Sequence, residues 1–486
     1  MATYYWVGGS GTWDNSSKTN WATSSGGTGG AAVPTTGDTV NFDSNSGTAA
    51  VVTVAATAAC AACTINKSDI NLSLSGSPTF TGTTTFTAGT ITLNNNTYTA
   101  SRFITDNSNA RTIAFGTGKI ALTNNSVTLW SAATITNLVL TGTPVVEYTA
   151  NSASGSRTFT HGSAAGLSET NTPSLNVTAG TDAIVIATNG GVKNLNFTGF
   201  SGSFSSSAFT IYGNLTISTG MTVTGGANAT TFAATSGTQT ITSNNKTYDR
   251  PITINGVGGS VELIDALAQG SSRAFTLTNG TFNAKNQNVT VGTFALGGGT
   301  KTLTLGSGTW TVAGSGASAW NANTNVTGLT VSASTGTISM TSASAKTFSG
   351  GAKVWPTLNQ GGAGTLTIAQ SNTFANITNT VQPATVTLTA GTTQTVTSLG
   401  LAGTSGNLIT LNSSVAGTKA TIYKASGSVS LSFVSIKDIA ATGGANFNAF
   451  TSSGCVDGGN NTGWDFNSAL YPTIYTVRKT KRYFLN

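Results

Sequence analysis

The stretch TFTGTTTFTAGTITLNNNTYTA (79–100) decides the fold class. Phe, Ile, Leu and Tyr alternate there with Thr in runs of four or five residues, the period of a half-buried strand, and Gly and Asn break the runs. The same short text recurs as LTIS (215–218), VTVG (289–292), LTLG (303–306), WTVAG (310–314), LTVS (329–332) and LTIA (366–369). Successive strand centres often lie roughly six to ten residues apart, which leaves room for tight turns and none for helices. No amphipathic run of helical period extends beyond about two turns.

Antiparallel sandwiches and parallel β-solenoids both fit such spacing. Asn-Gly and Asp-Gly pairs do not recur at regular hairpin positions, and similar short strands with Asn, Gly and Thr corners persist over hundreds of residues, so the solenoid is favoured. The expected fold is all-β, a parallel β-helix or solenoid body with small β end modules. At roughly 20 to 27 residues per coil, residues 46–400 make about 13 to 18 coils, a shaft of roughly 60–85 Å.

Composition supports an ordered β body. Charged residues are only 7% of the 486, against about 25% in an ordinary globular domain. Disorder is argued against by 38% hydrophobic residues, 21 Phe and abundant Thr, Val and Ile. The formal charge of +7 is concentrated at one end, because Arg478, Lys479, Lys481 and Arg482 follow the last acid, Asp465. The remaining 17 basic residues nearly balance the 14 acids, with no basic, aromatic-interleaved stripe, so no nucleic-acid partner is expected. No apolar run of about 18 residues suggests membrane insertion. The opening MATYYWVGGSGTWDN lacks the pattern of a signal peptide, so synthesis in a cytoplasm, with any release by lysis or a non-classical route, is expected.

Four regions follow from the text: a Trp-rich β module over 1–45, a solenoid shaft over 46–400, a C-terminal solenoid and capping region over 401–466, and an aromatic, basic tail over 467–486. Trp6, Trp13 and Trp21 crowd the first module beside Tyr4 and Tyr5. Such aromatics suit either stacking on sugar faces or the core and interfaces of a small module. In DGGNNTGWDF (457–466), Trp464 and Phe466 suit the covering of an open terminal coil.

SGTWTVAGSGASAWN (307–321), KTFSGGAKVWPTLNQGGAGTLTIAQSNTFANIT (346–378), VTLTAGTTQTV (386–396) and the run from 403 to 464 resemble β-helical appendage proteins of tailed bacteriophages from aquatic and metagenomic sources. YYWVGGSGTWDNSSKTNW (4–21) is similar to openings of the same phage proteins and to passenger domains of autotransporter adhesins. The resemblance implies a virion component, a tail or head fibre or a capsid decoration, commonly homotrimeric, that contacts other virion proteins and a host-surface glycan. Either the tail at 478–482 or the Trp-rich head is then the particle anchor. A polysaccharide-degrading tailspike and a bacterial surface adhesin are the rival readings.

Catalytic chemistry finds few candidates. Glycoside hydrolysis generally needs two carboxylates about 5 to 9.5 Å apart, and the densest local pair is Glu262 and Asp265 in SVELIDALAQG (260–270). His161, the only histidine, lies in RTFTHGSAAG (157–166) near Arg157 and Glu169 without a Ser-centred elbow, and reads as a turn residue. CAAC (60–63) has no second cysteine pair, so Cys60, Cys63 and Cys455 read as small buried residues. GVGG (256–259) and GGAGTL (361–366) lack the Lys-Ser/Thr of a phosphate loop and read as coil corners. No enzyme activity, cofactor or metal is expected.

Overall fold

A computed structural model describes residues 1–125, 127–163 and 166–467. They are nearly all β, with parallel strands stacked as a β-solenoid of about 19 turns. The chain divides into two compact units, Met1–Ser339 and Met340–Asn486.

In the first unit the stretch 79–100 makes one coil. Strand Thr83–Thr92 turns Phe86 and Ile91 inward and Thr85, Thr87, Thr90 and Thr92 outward, and Thr97–Ala100 follows on another face. Between Phe86 and Ile91 the alternation slips by one residue at Gly89, whose φ of +111° only glycine adopts readily. A Cβ there would stand 2.6 Å from the Lys67 carbonyl oxygen, so this corner requires glycine. The coil before shifts register at the same height, where Asn66 pairs with Ala88 but Asn71 with Thr90. Asn94 and Asn95 make the next corner with φ of 49° and 66°. Asparagine tolerates this left-handed region because its short amide bonds locally; here Asn94 Nδ2 donates to the Leu74 carbonyl of the coil before, at 3.0 Å. Asn244 and Asn245, and Lys285 and Asn286, repeat the paired positive-φ corner.

Strand pairing runs through residue 45 without a break. Thr3–Trp6 pairs in parallel with Thr39–Phe42, which pairs with Ala62–Leu74, and Gly11–Trp13 pairs with Val51–Val54. The opening 45 residues are thus coil, with Trp21–Ala22 added antiparallel on Thr3–Trp6. Inside, aromatic rings stack from coil to coil. Phe103, Trp130 and Phe159 lie within 15° of parallel at 5.3 and 6.4 Å, and Phe294 lies on Trp320 at 4.2 Å. Each such pair adds about 0.5–1.5 kcal/mol beyond its buried area.

In the second unit, Ala384–Leu388 pairs with Leu366–Ala369 and Ile409–Ser413, which continues to Val434–Lys437. Thr393–Gly400 pairs with Thr373–Asn379 and Ala420–Tyr423. Pairing therefore also crosses residue 400. At the far end Trp464 meets Phe447 edge-on at 5.3 Å. The basic cluster Arg478, Lys479, Lys481 and Arg482 lies outside the described residues.

Candidate functional site

Parallel, in-register stacking turns a two-residue alternation into columns of like side chains on the coil surface. One outward column in the first unit runs Glu147, Asn176, Asn196, Thr216, in register from strand to strand. Two residues earlier on each strand a second column starts at Ser174, opposite Asn194, and continues through Asn214, Thr240, Glu262, Asn283 and Thr304. Val145, Ser174, Asn176, Asn194, Leu195, Asn196, Asn214 and Thr216 line a groove of about 320 Å³ between these columns.

The second column is tied together. Asn194 Nδ2 donates to Ser174 Oγ at 3.0 Å, and its Oδ1 accepts the Asn214 backbone N–H at 2.8 Å. Asn214 Oδ1 then accepts the Thr240 N–H at 2.9 Å. The first column makes fewer commitments: Asn196 Oδ1 accepts from Thr198 N at 2.9 Å and Thr198 Oγ1 at 2.7 Å, and its Nδ2 has no hydrogen-bond partner among the described residues. At one end of the groove Lys119 Nζ sits 2.6 Å from Glu147 Oε2, and Lys193 precedes the lining residue Asn194.

The acids have structural partners. Glu262 accepts from Asn283 Nδ2 at 3.1 Å and faces Lys285 at 3.4 Å, while Asp265 caps the Ser243 and Asn244 amides at 2.7 and 2.6 Å. Glu147 and Glu262 stand five coil steps apart, about 24 Å, well beyond the spacing of a glycosidase pair. Glu169 reaches from its loop to Thr235 and Ser236. Among the described residues no three His, Cys, Asp or Glu side chains converge as a metal set.

Several other cations are turned into the coils. Arg157 and Asp182, both with fully buried side chains, form a two-point pair at 2.8 and 2.7 Å, and Arg157 also donates to the Ala150 and Ala179 carbonyls. Arg111 donates to the Thr105, Asn109, Thr134 and Thr136 carbonyls. Lys301 plugs a corner through the Gly297 and Gly299 carbonyls, and Lys346 another through those of Ser342, Gly362 and Gly364. Burial lowers Lys346 to about 8.

Three side chains singled out by sequence sit differently from a surface reading. Trp6, Trp13 and Trp21 are each 0% exposed, locked with Phe42 and, for Trp13, with Phe80 stacked at 5.0 Å. Their alternation places them inside the first coil, so their faces are closed to a sugar; Tyr4 and Tyr5 stay half-buried. Cys60, Cys63 and Cys455 are buried free thiols.

His161 is a core residue at the end of strand Ser156–His161 and not a turn residue. Trp130 Nε1 donates to its Nδ1 at 3.3 Å and the Asn171 carbonyl meets its Nε2 at 2.7 Å, which fixes the neutral ring with its proton on Nε2. Burial depresses its pKa to about 4. The unfolded ring binds a proton near pH 6.5 that the folded ring refuses until about pH 4. Stability is therefore intact above pH 6.5 and falls through that window, by about 3 kcal/mol at most. We expect the thermal midpoint of the first unit to drop across it and His161→Gln to flatten the drop; an unchanged slope in the variant contradicts this assignment.

The groove was not legible in the sequence, since its residues come from coils 20 or more positions apart; the recurring Ser/Asn-Leu-Asn/Thr text at 174–176, 194–196 and 214–216 was the available signal. No protein-family model, no curated protein and no solved structure matches this chain.

Proposed function

We propose that this chain is a non-enzymatic structural protein of a bacteriophage virion, an appendage that decorates the particle or meets the host surface. The observation that carries the reading is the placement of its few charges. Among the described residues, Arg111, Arg157, Lys301 and Lys346 are plugged into coil interiors, Lys119 and Lys285 are paired with acids, and acids cap turns or hold lysines. Apart from Glu147 and Glu262 the two outward columns are neutral hydroxyls and amides, while a few lysines such as Lys437 stay exposed. Such a surface suits display and contact, since general acid–base catalysis needs positioned titratable groups with freedom to exchange protons.

The resemblance of 307–464 to phage β-helical appendages supports the virion setting, and a homotrimer held with other virion proteins is the assembly it implies. The test is co-purification: in a host lysate the chain bands with density-purified particles. Recovery only from the particle-free fraction overturns the reading.

A further inference from the structure

We infer that the groove between the two columns binds a neutral, extended glycan lying across successive coils, with Asn176, Asn196 and Thr216 as its hydrogen-bonding residues. The inference rests on the appendage reading for its biological setting and on the groove's own chemistry for its ligand.

The two columns divide the work. Ser174, Asn194 and Asn214 are held by one another and by the next coil's backbone, which fixes the groove floor. Beside them, the Asn176 amide and the Thr216 hydroxyl have no hydrogen-bond partner among the described residues, and Asn196 keeps its Nδ2 free. These groups repeat at the coil spacing of about 4.8 Å, on rigid strands, so a ligand meets them already ordered. Preorganised amides and hydroxyls that both donate and accept suit a polyhydroxylated chain.

Other ligand classes fit less well. An anionic polymer needs a run of free cations, and no lining residue is basic; Lys119 is held by Glu147 at 2.6 Å, which leaves Lys193, beside Asn194, as a single cation next to four coils of neutral groups. Peptide strand addition needs an open sheet edge. Here Ser174–Val177 is paired with Val145–Tyr148 and Leu195–Asn196, which is itself paired with Leu215–Thr216. An apolar ligand finds only Val145 and Leu195 among eight lining residues.

Native affinity electrophoresis of the whole chain tests this, in gels cast with dextran, mannan, xylan or laminarin as neutral probes and alginate as the anionic one. Retardation is expected in at least one neutral gel, insensitive to salt. The variant Asn176→Ala with Asn196→Ala weakens it about tenfold or more, because two hydrogen bonds to ligand are lost. Its thermal midpoint falls only slightly, since the Asn176 amide has no hydrogen-bond partner among the described residues and Asn196 gives up only the exposed turn it makes with Thr198. Thr216→Val, a smaller change, weakens the same retardation and covers the case in which the double variant misfolds. Parent mobility unchanged in every neutral gel, retardation by alginate alone, or retardation untouched by these substitutions overturns the inference. Particle association fails or holds independently of these gels, so the two readings can fall separately.

Discussion

Asp182→Asn lowers the stability of the Met1–Ser339 unit by about 3 to 5 kcal/mol, because it leaves the Arg157 charge buried without its carboxylate. No solvent screening softens the loss, since both side chains are fully buried. The local backbone is built around the guanidinium: Gly180 takes φ +106°, and a Cβ there would lie 2.4 Å from Arg157 Nη2. Replacing both partners, Arg157→Met with Asp182→Leu, costs less than the sum of the single changes, as expected for directly coupled residues. It still costs something, because the Ala150 and Ala179 carbonyls lose their donor. Denaturant unfolding of the four proteins measures the coupling, and additive losses contradict a paired role.

Trp13→Ala carries a comparable penalty, about 3 to 5 kcal/mol, since a large indole is removed from a packed interior. Trp13 touches Trp21 at 5.5 Å, Phe42 at 5.7 Å and Phe80 at 5.0 Å, so no neighbour can fill the space without breaking a ring contact. This variant separates the two uses of the Trp-rich opening. A core residue loses stability while the folded fraction keeps its retardation in neutral polysaccharide gels. Loss of retardation with an unchanged unfolding midpoint returns Trp13 to the surface.

The fold was legible because its cause is local. A residue pair such as Thr85 and Phe86 states which side is in and which is out, and Gly89, Asn94 and Asn95 mark the corners in the residue types that tolerate them. What lies beside what was not legible, because coil length varies. Asn176 to Asn196 and Asn196 to Thr216 are steps of 20 residues, yet Glu147 to Asn176 is 29. Columns cannot be assembled from spacing when the repeat drifts by nearly half its length. The Arg157–Asp182 pair, 25 residues apart, was hidden for the same reason. The three opening Trp could be recognised as anchors, but with the register of Thr3–Trp6 against Thr39–Phe42 unknown, their side of the sheet could not.

Location in the particle tests the central claim most directly. Immunogold electron microscopy of purified particles, with antibody raised against the whole chain, is predicted to place label on external projections or on the outer capsid surface. Particles that carry no external label, with the chain confined to the soluble fraction of the lysate, contradict it.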